Sequence, residues 1–294
     1  MTRGADRGRF TFRRYAAFTT GMTLTLVMLG VYTAATGSGL ACSQQWPLCD
    51  GGVLPQTVPS FIEWFHRLWA MVTGFLILGV AVWAWRADKP KRTRWAAAGA
   101  TVLTPLQAVF GAVTVTFNGR LPGGYSMPVH AAHFVTGFGI FALLAYTALL
   151  SYEGRYGRDP LTRTRAALGV ALACLLASVV FSRLPPLLDY APWAQAAFYG
   201  VSLAGFGALT GATRWLGDVA DDHGGRFRPA TALAGALLFV AMLLGRDLVY
   251  YSPTVRLVNA VVVAGAVALV AGVGWALRRE DGPGATPVYG STDD

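Results

Sequence analysis

Charge is what this sequence has least of. Only 13% of its 294 residues are Asp, Glu, Lys or Arg, against roughly 25% in an ordinary soluble domain. Such scarcity excludes a water-surrounded globule, because a solvated surface needs more ionised side chains than these. Short segments of alternating polarity are also missing, which excludes a membrane β-barrel. No small-residue cleavage site follows the first apolar run, so that run is expected to be a retained helix and not a signal peptide. Cysteine and histidine are rare, at three and four residues, and the few that exist are concentrated in the first half.

What the chain does have is apolar length. Hydrophobic residues make up 54% of it. They gather into eight runs, at about 16–37, 58–85, 95–117, 127–150, 165–183, 192–213, 229–250 and 254–277. Each can cross a hydrocarbon core of roughly 30 Å as a helix. The fold class expected is an all-α polytopic membrane protein with eight transmembrane helices in two pseudo-repeated four-helix bundles. Residues 1–15 read as a basic tail, 16–151 as the first bundle, 152–164 as a charged linker, 165–279 as a second bundle and 280–294 as a disordered tail.

The net charge of +9 would suit a polyanion partner, but its placement argues against nucleic acid. Arg3, Arg7, Arg9, Arg13 and Arg14 precede the first run, and Arg86, Lys89, Lys91, Arg92 and Arg94 follow the second. Arg155, Arg158, Arg163 and Arg165, then Arg214, Arg226 and Arg228, then Arg278 and Arg279 continue the alternation. The intervening loops hold little beyond Arg120, Arg183 and Arg256. This positive-inside asymmetry predicts a multi-pass protein of the plasma membrane, embedded in the lipid bilayer, with both termini cytoplasmic.

The loop GLACSQQWPLCDGG, carrying Cys42 and Cys49, then faces outward, where disulfides persist. The two are expected to pair, with two free thiols as the alternative. Cys174 has no partner and reads as a small buried hydrophobe.

Polar residues inside the runs mark the candidate site. FIEWFHRLWA in the second run places Glu63, His66 and Arg67 in an apolar segment, where each charge costs about 2.5–3.5 kcal/mol near the bilayer centre. A rise of about 1.5 Å per residue from Pro59 puts His66 roughly 10 Å below the outer edge. MPVHAAHFVTG in the fourth run places His130 and His133 on one face at similar depth. Histidines from two helices at matched depth suit bis-imidazole ligation of a haem iron. Zinc would want three or four ligands, and no such cluster of thiolates or carboxylates accompanies them. In LQAVFGAVTV, Gln107, Gly111 and Thr114 at near-helical intervals fit tight helix packing, with Gln107 bonding across helices.

Together, TGSGLACSQQWPLCDG, EWFHR, QAVFGAVTV and the histidine after a short outer loop resemble the heme A synthase family in order and spacing, over roughly residues 15–150. The resemblance implies an eight-helix protein that oxidises a methyl group of heme O to the formyl of heme A for terminal oxidase assembly. It implies heme O synthase and oxidase assembly factors as partners, and haem as cofactor or substrate, with heme b and self-association left open. Carried over residue by residue, Glu63 is the acid required for turnover. His66 and His133 are the haem iron ligands, with His130 as second choice, and Arg67 and Gln107 serve propionate or supporting roles.

One departure stands out. In that family each bundle usually supplies a histidine pair, whereas the last four runs here contain none, since His223 lies in the basic loop VADDHGGRF. Arg246, Asp247, Tyr250 and Tyr251 form the only polar cluster of that half, read as an interfacial ion pair. Two alternatives use the same residues: a b-type electron-transfer or haem-handling protein, and a thiol oxidoreductase acting through Cys42 and Cys49. The second lacks a further redox pair. Heme O synthase itself is disfavoured because no Asp-rich motif for magnesium and diphosphate occurs.

Overall fold

A computed structural model of the chain describes residues 10–279 apart from 43–44, 47, 117–126, 155–156, 158, 186–187, 190, 220–222 and 246–249. Residues 1–9 and 280–294 of the two tails, Arg120, Arg155, Arg158, Arg246 and Asp247 lie outside the described residues, as does the side chain of His223; the end of the expected basic tail, Arg13 and Arg14 included, is already helical, because α1 starts at Phe12. Eight long helices carry the fold: α1 (Phe12–Ala35), α2 (Val58–Arg86), α3 (Lys91–Thr116), α4 (Met127–Tyr152), α5 (Pro160–Phe181), α6 (Pro192–Leu216), α7 (His223–Leu244) and α8 (Pro253–Arg279). A 3-10 turn covers Ser38–Leu40. Among the described residues there is no strand, and a single bridge pairs Cys49 with Gly52.

Each expected apolar run became one helix. The largest offset is in α7, which starts at His223 and continues through Pro229. Proline removes one helical hydrogen bond, and helices in a membrane tolerate this when neighbours re-satisfy the freed carbonyl. Pro105 sits inside α3 in the same way. The helix starts are written locally. Thr57 caps α2 by accepting from the Ser60 amide, and Asp159 caps α5 by accepting from the Thr162 amide at 2.8 Å, each followed within two residues by a proline. Threonines within the spans turn their hydroxyls onto the carbonyl four residues back, as Thr19, Thr33 and Thr136 do at 2.8–2.9 Å. Those donors are then satisfied within their own helix.

Seven of the helices are long and apolar enough to cross a membrane, and α6 falls below that mark. Its surroundings explain why. Helix α6 packs against α5, α7, α1 and α4, and its inward residues include Phe198, Tyr199, Ser202, Leu203, Leu209 and Leu216, all buried. Wrapped by protein, it tolerates Gly, Ser, Thr and Tyr where a lipid-facing helix needs aliphatics. Elsewhere α1–α4 contact one another in the cycle α1·α2, α2·α3, α3·α4, α1·α4, and α5–α8 repeat that cycle. Lipid-facing side chains such as Phe75, Val102 and Val261 are more than 60% exposed. Exposed tryptophans mark both ends, Trp46 and Trp193 at one, Trp85, Trp95 and Trp275 at the other, as interfacial belts do.

Candidate functional site

The first turn of α2 is built around Ser60. Its hydroxyl accepts from Thr57 Oγ1 at 3.0 Å and reaches Asp50 Oδ1 at 3.1 Å, which ties the loop to the helix start. The loop is shaped by a tight turn at Asp50 and Gly51, both with positive φ. Across that turn Cys49 and Gly52 exchange backbone hydrogen bonds at 3.2 and 3.0 Å. Gln45 Oε1 accepts from the Gly51 amide at 2.8 Å, and Asp50 Oδ2 accepts from the Gln56 amide at 2.9 Å. Cys42 and Cys49 are joined as a disulfide, and both are fully buried.

One turn further along α2, Glu63 is buried beneath this loop, with 2% of its surface exposed. The spacing of Glu63 and Arg67 places them side by side, and Arg67 donates to Glu63 Oε1. The other carboxylate oxygen accepts from the Cys42 amide at 2.8 Å. Arg67 also donates to the carbonyls of Gln45 at 2.9 Å and Leu48 at 3.0 Å. The disulfide loop is thus clamped onto an acid–base pair through backbone groups at both of its ends. A carboxylate this deep requires such pairing.

Below the ion pair, all four helices of the first half contribute. His66 projects from α2 toward α1 and lies against Gly30, where a Cβ would sit 3.0 Å from its Cε1 and 3.4 Å from its Nε2. Its Nδ1 is buried without a hydrogen-bond partner. His133 projects from α4 against Gly111 of α3, where a Cβ would lie 3.3 Å from its Cε1. Gln107, a turn earlier on α3, meets His133 Nε2 through its amide nitrogen at 3.2 Å. His66 and His133 are within electrostatic reach of each other, and Arg67 is within reach of His66. His130 is half-buried one turn nearer the end of α4. Thr114 turns back to the Phe110 carbonyl at 2.8 Å and takes no part.

These residues fit a bis-histidine haem. Two imidazoles come from separate helices, each in a space that a glycine keeps clear, and one has an unsatisfied buried nitrogen. Among the described residues no group of three His, Cys, Asp or Glu side chains converges. The structure brings together Glu63, Arg67, the disulfide, His66, His133 and Gln107. Sequence reasoning missed Gly30 and the backbone partners of Arg67. A glycine in an apolar run carries no signal of which side chain will lie against it, and backbone carbonyls leave no mark in a sequence at all.

Residues 56–185 match the family model described as cytochrome oxidase assembly protein, a stretch running from α2 through α5. The chain is 34% identical to a heme A synthase of Bacillus pumilus over 158 residues, covering 53% of this chain and 50% of that protein. It is 35% identical over 140 residues to a heme A synthase of Bacillus licheniformis, covering 45% of this chain and 44% of that protein. It is also 35% identical over 136 residues to a protoheme IX farnesyltransferase of Halobacterium salinarum, covering 46% of this chain and 29% of that protein. The chain therefore spans about half the length, or less, of the curated relatives it matches.

Proposed function

From the premise that residues 56–185 belong to the cytochrome oxidase assembly family and that heme A synthases are among this chain's relatives, we propose that this multi-pass membrane protein oxidises the methyl group of heme O to the formyl group of heme A. The observation that carries the reading is the stack of groups in the first half. Two imidazoles on α2 and α4 rest against glycines, directly beneath a buried Glu63–Arg67 pair roofed by the Cys42–Cys49 loop.

In this reading His66 and His133 hold the haem iron, with His130 as the alternative on α4. Haem bound there supplies the redox chemistry. The chain's own part is to bind, orient and move protons. Converting a methyl to a formyl adds one oxygen atom and removes four electrons (R–CH3 + H2O → R–CHO + 4 H+ + 4 e−), so an external electron acceptor is required, and Glu63 is the carboxylate in place to take one of the protons. General acid–base contributions of this kind are typically about 10²–10⁴-fold. Arg67 holds the carboxylate in position through a charge-assisted bond. The basic-loop asymmetry supports the orientation in which the disulfide loop is external and both termini are cytoplasmic, in the plasma membrane. Heme O synthase and oxidase assembly factors are the partners this activity would need.

A second reading, a b-type haem protein without hydroxylating activity, is favoured by one observation: both carboxylate oxygens of Glu63 are already engaged. A thiol oxidoreductase is disfavoured because both sulfurs are fully buried. The test is haem extraction and chromatography on protein purified with and without co-expressed heme O synthase. Heme A appearing only with co-expression, and heme O accumulating in Glu63→Gln, is the expected result. Bound haem with no heme A under either condition would leave the second reading standing.

A further inference from the structure

One cavity among the described residues is remote from the histidines. It lies at the end of the helices opposite the disulfide loop, in a crevice between α3 and α4 on one side and α6 and α7 on the other, with a volume of about 520 Å³. That volume is within the roughly 300–1,000 Å³ of ordinary ligand sites. Three arginines far apart in sequence, Arg92, Arg214 and Arg228, converge on it. As members of the positive-inside set they read only as orientation signals, yet the fold brings them to one place.

Their charges are not equivalent. Arg214 is neutralised by Glu153 at 2.8 Å and Asp218 at 2.7 Å. Asp218 is the one carboxylate lining the crevice, so its charge is spent. Among the described residues Arg92 and Arg228 have neither an ion-pair nor a hydrogen-bond partner. The Tyr146 and Thr213 hydroxyls donate to nothing there, whereas Thr210 and Thr231 donate to the Phe206 and Phe227 carbonyls at 2.9 and 3.0 Å. Among the described residues, the mouth is therefore rich in unused donors and cations, and its one lining carboxylate is already paired.

The deep end has the opposite character. It is lined by Phe206, Leu209, Ala232 and Gly235, and from Arg214 to Phe206 the crevice descends about 12 Å along α6 at a rise of about 1.5 Å per residue. A cationic mouth over an apolar cleft at membrane depth matches an amphiphile whose head is an anion. We propose that this crevice binds an anionic phospholipid, its phosphate held by Arg92 and Arg228 and an acyl chain lying between the two halves of the protein. Basic pockets between transmembrane helices recognise such head groups by the same chemistry. The bound lipid would join the halves at the end opposite the haem site, and the inference does not depend on the haem reading.

The test uses the full chain in detergent and in nanodiscs of phosphatidylcholine with or without phosphatidylglycerol. Mass spectrometry of the purified protein should find co-purified anionic phospholipid, and phosphatidylglycerol should raise the melting temperature. The double variant Arg92→Gln/Arg228→Gln should weaken phosphatidylglycerol binding by on the order of tenfold or more. Gly235→Leu keeps both arginines but fills the apolar end, because a Cβ at Gly235 already meets Phe206 and Leu209 at 3.8–3.9 Å. It should lose the lipid as well, and it decides the matter alone if the double variant does not fold. Undiminished phosphatidylglycerol binding in either folded variant would overturn the proposal. Stabilisation by inorganic phosphate equal to that by phosphatidylglycerol would overturn the lipid in favour of a free-anion site.

Discussion

The two groups of four helices share a contact cycle and differ in what they enclose. In α5–α8 a continuous buried cluster runs through all four helices, with Leu168, Leu175, Leu209, Leu216, Leu238, Val270 and Leu277 among its members. In α1–α4 the comparable clusters are small. One is formed by Phe12, Ala16, Val80, Ala81, Ala84 and Ala97, and the other by Ile77, Ala100, Ile140 and Leu144. Both lie away from the disulfide loop, and nearer the loop the space between helices goes to His66, Gln107 and His133. Register sharpens the contrast. The fourth and seventh residues of α4 are His130 and His133; those of α8 are Arg256 and Asn259. Arg256 donates to the Leu184 carbonyl at 2.8 Å, and the buried Asn259 donates to Tyr251 at 3.4 Å. The ninth residue of α2 is His66, whereas that of α6 is Gly200, pressed against Met28. One half spends its polar positions on groups able to bind a metal, and the other spends them on internal hydrogen bonds and close packing.

The strongest way to break that comparison is to remove its imidazoles. His66→Ala or His133→Ala is expected to abolish the low-spin haem spectrum of the purified protein, whereas Asn259→Ala should leave it unchanged. A low-spin haem that survives His133→Ala but not His130→Ala would move the ligand by one turn of α4. A haem lost in Asn259→Ala would place metal chemistry in the half whose polar positions make internal hydrogen bonds.

A core substitution in the packed half should do the reverse. Leu175 is fully buried in the α5–α8 cluster, so Leu175→Ala should cost about 2–5 kcal/mol of stability. The haem spectrum at low temperature should not change. Thermal unfolding followed by helical circular dichroism measures the first, and absorbance the second. A shifted haem spectrum would show that the buried cluster joining the halves, which includes Val31, Phe134, Phe198, Tyr199 and Met242, transmits the change to the haem site.

The disulfide loop is next in size. Removing the link with Cys42→Ser/Cys49→Ser frees a short loop, worth about 2–3 kcal/mol by the chain-entropy argument. It also loosens the amide that binds Glu63. The melting temperature should fall. If heme A formation falls further than stability explains, the loop positions Glu63; if it follows stability alone, the loop is only a clip.

Much of this was legible before any coordinates. Apolar runs gave eight helices because twenty apolar residues in a row have few other uses. Two cysteines seven apart in an outward loop made their pairing readable, whereas the sequence pointed Arg67 to a propionate or supporting role and the structure pairs it with Glu63. What stayed hidden is tertiary. That α6 would be the central helix follows from which faces pair, which periodicity does not report. Gly30 under His66, and Arg92 across one crevice from Arg228, come together only because helices distant in the chain pack into one bundle. The Pro229 position illustrates a local failure: proline reads as a helix start, but α7 runs through it from His223.

The smallest expected effect concerns Gln107 and tests how His133 would bind. An amide nitrogen only donates, so at 3.2 Å the His133 Nε2 must accept from it, which leaves the ring proton on Nδ1. The lone pair engaged by Gln107 is then the one an iron would take, and the two compete. Replacing the amide with an apolar side chain of similar length removes the competitor without opening a large cavity. A neutral hydrogen bond nets about 0.5–1.5 kcal/mol, so Gln107→Leu should bind added haem up to about tenfold more tightly with the low-spin spectrum unchanged. Titration of haem-depleted protein, followed by absorbance, measures this. Weaker binding would show the opposite role, with Gln107 steadying the ring at Nε2 while iron is held through Nδ1. In that case the amide is part of the ligand's support, as the Tyr251 hydroxyl supports Asn259 in the other half.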